Sequence, residues 1–84
     1  MKVFVFAVRD DLNGFGQMFT APSEAFAKRD FSAAVNNDRT NSALAYSPKD
    51  FGLYCLGTFD DRTGVIEAKT IPDLVVRGDA LVAD

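Results

Sequence analysis

Phe51-Gly-Leu-Tyr-Cys-Leu-Gly-Thr-Phe59, then Asp60-Asp-Arg-Thr-Gly64, then Val65-Ile-Glu-Ala-Lys69, is the stretch on which the fold turns. Its first nine residues are rich in aromatic and aliphatic side chains, which suits a pleated and largely buried strand. The next five form a turn, and Gly64 fits the positive-φ position that ends a type I turn with a bulge. The return strand follows at once, so the spacing predicts a β-hairpin. Simple alternation puts Phe51, Leu53, Cys55 and Phe59 on one face and Tyr54 and Leu56 on the other.

Upstream, residues 37–50 are polar and turn-rich, with Ala43-Leu44-Ala45-Tyr46 as their one apolar patch and Pro48 as their close. Loops of this length are often functional. Before them, Glu24 to Asn36 reads as a helix. Ala27, Phe31, Ala34 and Val35 recur at helical spacing on one face, Phe26 widens that stripe, and Ser23 is placed to cap the N-terminus. Glu24 and Lys28 stand four apart in the favourable order. At the start of the chain, Lys2 to Val8 is a strand apolar on both sides. Asn13-Gly14 is a hairpin signal, and Phe15 to Phe19 returns as a second strand that its glycines weaken. Downstream, Pro72 limits further pairing, with room for a short fifth edge strand at Asp73–Val76. Residues 1–76 are therefore expected to form one compact domain and 77–84 a loose tail.

The expected fold is α+β: a small, mostly antiparallel sheet of two hairpins with one helix on one face. The chain has 84 residues, 48% of them apolar, which is globular but small. One cysteine excludes an internal disulfide, and with no histidine the common structural zinc sites are excluded too. The strongest strands are apolar on both faces and one helix covers only one. A homodimer or higher oligomer is expected to cover the other.

Net charge is −3, with six basic and six acidic residues in 1–50 against three and six in 51–84. That is not the footprint of a strongly basic nucleic-acid binder. No apolar run reaches the roughly 18 residues of a membrane span, and the N-terminal apolar run is too short for a secretory signal followed by a cleavage site. The chain is expected to be cytoplasmic.

Candidate motifs weigh mostly towards structure. Asp11-Leu12-Asn13-Gly14 lacks the distal Glu of a calcium loop, and Gly14-x-Gly16 has Phe19 where a dinucleotide fingerprint needs its third glycine. Asp60-Asp61 is explained by turn chemistry. Cys55 lies mid-strand with no histidine to activate it, so the expectation is a non-enzymatic protein without a cofactor. Eight Phe and two Tyr leave one functional option open, the stacking of single-stranded bases on aromatic rings near a basic track. Phe4 and Phe6 alternate on the first strand as a stacking platform would, beside the plainer reading of core packing, and Tyr46 and Tyr54 are the better candidates because a hydroxyl tolerates exposure. Lys28, Arg29, Arg39 and Lys49 form the best local cationic group, beside the plainer reading of a solvated helix face.

Taken end to end, the chain resembles a viral family. The pattern is Met1-Lys2-Val3-Phe4, a Pro22-Ser23 turn, a helix with Ala27, Arg29, Phe31 and Val35-Asn36, then Pro48-Lys49-Asp50-Phe51, Leu53-Tyr54-x-Leu56-Gly57-x-Phe59-Asp60-Asp61-x-Thr63-Gly64-x-Ile66 and a late Pro72. It is similar to the small non-structural protein of gokushoviruses, tailless phages of the Microviridae with circular single-stranded DNA. The resemblance covers about residues 1–76 and is most specific from Pro48 to Ile66. It implies a protein of the host bacterial cytoplasm, absent from the mature virion. Such a protein binds DNA in the switch from double-stranded to single-stranded genome synthesis and packaging. Single-stranded DNA would then be the partner of Lys28, Arg29, Arg39, Lys49, Tyr46 and Tyr54. The alternative is an adaptor that docks on viral or host replication or procapsid proteins through the apolar sheet face or the Asp60-Asp61 tip.

Overall fold

The computed structural model describes residues 1–36 and 43–82. Its sheet has four antiparallel strands, β1 (Lys2–Asp10), β2 (Gly14–Ala21), β3 (Phe51–Asp60) and β4 (Ile66–Arg77), in the order β2-β1-β3-β4. Each hairpin is thus a pair of sequence neighbours, and the β1–β3 ladder joins the two. The helix α1 (Glu24–Val35) crosses one face, and α2 (Ala43–Tyr46) and a 3₁₀ turn at Pro48–Asp50 lead into β3. The architecture is the expected α+β fold, without a fifth strand. Asp73–Val76 belongs to β4, which runs through Pro72 to Arg77. Proline is tolerated there because β4 is an edge and its outward N–H has no ladder partner to lose.

The two hairpin turns use one chemistry. Asp10-Asp-Leu-Asn-Gly14 and Asp60-Asp-Arg-Thr-Gly64 both open on an aspartate whose carboxylate accepts the backbone N–H two residues on, Leu12 at 3.0 Å and Arg62 at 2.9 Å. Both close on a glycine in the left-handed region, φ 91° at Gly14 and 78° at Gly64, where a side chain would be strained. In α1, the Ser23 hydroxyl accepts the Phe26 N–H at 3.1 Å, as a cap should.

The core lies between α1 and the sheet. Phe6 and Leu53 are fully buried, and Ala27, Phe31 and Val35 descend onto them from the helix with Ala21 at the edge. Phe6 also stacks on Phe19 at 5.8 Å. The last segment joins this core. Gly78–Leu81 forms a 3₁₀ turn, Leu81 and Val82 pack against the cluster, and Asn36 Nδ2 donates to the Leu81 carbonyl at 2.9 Å. Residues 78–82 are therefore part of the domain and not the expected tail, because apolar Leu81 and Val82 cover core that α1 leaves open.

Alternation in β3 breaks where simple counting fails. Phe6 faces Cys55 but Val5 faces Gly57, so Leu56 is an extra residue, a bulge. Beyond it the sides exchange. Phe51, Leu53 and Cys55 face α1, whereas Phe59, opposite Val3, lies on the other side of the sheet. The expectation that Phe59 shares a face with Cys55 is corrected by this one residue. Glycine is required at 57, since a Cβ there would collide with the Glu67 carbonyl of β4. We expect Gly57→Ala to lower stability by roughly 2–3 kcal/mol in urea melts, with the backbone collision as the cause.

Candidate functional site

Among the described residues nothing covers the face of the sheet away from α1, and the registers arrange it in four rows across the strands. At the β3–β4 turn end stand Val3, Phe59 and Ile66. Next come Thr20, Val5, Gly57 and Ala68, then Met18, Ala7, Tyr54 and Leu74. The last row is Phe15, Arg9, Gly52 and Arg77. The central strands contribute the small Val5, Ala7, Gly52 and Gly57 as well as Phe59, Tyr54 and Arg9, and Met18, Phe15, Ile66 and Leu74 stand at the edges.

The last row carries charge and aromatic surface together. Phe15 is 46% exposed and meets Tyr54 edge-on, with ring centres 5.4 Å apart. The Arg9 guanidinium carbon sits 6.0 Å from the Phe15 ring centre, within cation–π range. Arg77 grips Asp11 with two bonds, of 2.7 and 3.2 Å, and donates to the Lys49 carbonyl at 2.7 Å. Arg9 reaches the same Asp11 at 2.9 Å. Two arginines thus share one carboxylate. The Arg77 hydrogen bond, helped by the charges of Arg77 and Arg9, holds Asp11 below the usual carboxylate range, and the same bond raises Arg77.

The structure distributes the sequence-derived candidates over several places. Tyr54 is on the uncovered face, and Lys49 lies at its Arg77 end. Lys28 and Arg29 are exposed on α1, across the sheet from Tyr54, with the Arg29 guanidinium carbon 5.3 Å from the Phe26 ring centre. Tyr46 is 77% exposed on α2, and Arg39 lies outside the described residues. Sequence reading missed Arg9, Phe15 and Arg77. Arg9 continues the alternation of Val5 and Ala7, which was a usable signal. Arg77 fell in the supposed tail. At the opposite end, the Asp60-Asp61 tip is engaged locally, since Asp61 accepts the N-terminal amine at 2.8 Å and Asp60 holds the turn. Among the described residues no helix is long and apolar enough to cross a membrane.

This is a small α+β protein with one uncovered sheet face edged by arginines and aromatics. It matches the family described as Phage ORF5 protein over residues 3–81 and belongs to that family, and so is a phage accessory protein. No curated protein and no solved structure is a match.

Because its folded-state pKa is depressed, Asp11 contributes stability that is present above its unfolded value and is lost as pH falls through the folded one. We expect wild type to lose this increment below about pH 4. The acid limb of the stability–pH curve should be flatter for Asp11→Asn, as read by thermal melts across pH 2–6 (about that span).

Proposed function

We propose that this is a non-enzymatic accessory protein of a gokushovirus-type microvirus that binds single-stranded DNA in the host bacterial cytoplasm. It acts in the switch from double-stranded to single-stranded genome synthesis and packaging, and it is left out of the mature virion. The observation that carries this reading is the Phe15–Tyr54 pair on an uncovered sheet face, flanked by Arg9 and Arg77 with a single aspartate between them. Bases stack on exposed aromatic rings, and arginines steer the backbone and add cation–π contact.

The sheet-face site is favoured over the helix group by its paired rings, Phe15 and Tyr54, set beside Arg9 and Arg77. Charge does not separate the two: Glu24 and Asp30 offset Lys28 and Arg29 on α1, and Asp10, Asp11 and Asp50 stand beside Arg9, Arg77 and Lys49. Few phosphates can be neutralised at the sheet face. Stacking must therefore supply most of the affinity, and the dependence on salt is shallow.

Fluorescence anisotropy with a labelled single-stranded oligonucleotide, with duplex as competitor, tests this. We expect single-strand preference and a slope of log K against log salt no steeper than about −2. Phe15→Ala and Tyr54→Ala should each weaken binding roughly tenfold. Loss on Lys28→Glu with Arg29→Glu, and none on Phe15→Ala or Tyr54→Ala, would move the site to α1. Absence of binding by wild type at low salt would reject the reading in favour of an adaptor docked on replication or procapsid proteins.

A further inference from the structure

The first three rows of the uncovered face, from Val3 to Leu74, contain no charged side chain. The charges of this end are turned to the helix side. There Lys2 meets Glu67 at 3.4 Å, and Lys69 meets Asp73 at 3.0 Å beside Phe6, Cys55 and Glu24. What faces the other way is apolar and exposed: Ile66 at 65%, Met18 at 62% and Leu74 at 50%. Val5, Met18, Phe59 and Ile66 surround a hollow of about 230 Å³. Segregation this complete is what a covered surface looks like, not a solvated one.

We infer that a second copy of this chain covers the first two of these rows with Met18 of the third, in a two-fold, face-to-face dimer. Three observations select a copy over another partner. First, the patch is self-complementary. It carries both raised edge residues, Met18 and Ile66, and the hollow between them, so each copy offers what the other needs. Second, the area fits. The accessible surface is 5527 Å² for 9.1 kDa, about 600 Å² above the roughly 4,900 Å² of a compact monomer of that mass. A contact that hid about 600 Å² on each copy would bury about 1,200 Å² in all, the lower end of a specific interface. Third, the core is small, with ten buried apolar residues on the described part of the chain. A second sheet about 10 Å away would supply the missing layer.

Tyr54 and the row of Phe15, Arg9 and Arg77 lie beyond the covered rows and stay open at each end of the dimer. The dimer does not rest on nucleic-acid binding, and its test contains none.

Sedimentation equilibrium of wild type at about 5–200 µM should give a mass near twice the monomer's, with dissociation only at the dilute end. Met18→Asp with Ile66→Asp changes exposed side chains, so the fold should persist by circular dichroism. Buried at a two-fold contact, each charge counts twice, and self-association should weaken by at least about 100-fold. Leu12→Asp, on the β1–β2 turn at 85% exposure, should leave the dimer intact. If the double variant fails to fold, Ile66→Asp alone takes its place with the same expected loss. Wild type remaining monomeric over the whole range would overturn the inference, and so would a folded variant that still dimerises as wild type does. A dimer abolished equally by Leu12→Asp would also overturn it.

Discussion

One extra residue in β3 organises the molecule. Leu56 has no opposite number on β1, so the side-chain order of the sheet reverses at that point. Before the bulge, β3 gives Leu53 and Cys55 to the helix-covered core. After it, the same strand gives Phe59 to the open face. The β4 backbone comes so close here that only glycine fits at 57. Along the same ladder, β4 inserts Lys69–Pro72 opposite the single Leu56, and Lys69 and Asp73 close that excursion with an ion pair. Two irregularities set side by side thus put charge on one side of the sheet end and apolar surface on the other.

The division of the open face into two zones follows. The strands are long, and α1 spans only the part of the sheet on its own side. The zone rich in Val, Met, Ile and Phe lies towards the β3–β4 turn, and the zone holding Arg9, Phe15 and Arg77 lies towards the β1–β2 turn. Asp11 belongs to that turn and ties β1 to the end of β4 through Arg77. The turn that reverses the chain therefore also orients the cations of the site.

What the sequence makes legible is local. Both hairpins, the capped helix and its buried stripe follow from turn residues and periodicity, interactions among residues close along the chain. The side exchange at Leu56 is not legible, because it depends on β4 lying against Gly57. With period-two alternation, one unrecognised insertion misplaces every later side chain, as it does Phe59. The candidate site is legible in part for the same reason. Tyr54 could be named from its strand, but Arg9 and Arg77 converge only because two hairpins dock, and Asp11 is what joins them. Leu81 and Val82 lacked a repeating pattern long enough to mark them as core.

Both outer strands of this sheet are irregular. β2 carries an extra residue at Gly16-Gln17, opposite Val8, and β4 carries the Lys69–Pro72 excursion. A sheet border with an interrupted row of donors and acceptors is a poor template for another strand, and lysine and proline on it make it poorer. Growth by adding strand to strand, which has no natural end, is thereby obstructed at both borders. The surface left open to association is the broad side of the sheet, where a contact between two copies would use up the patch and stop.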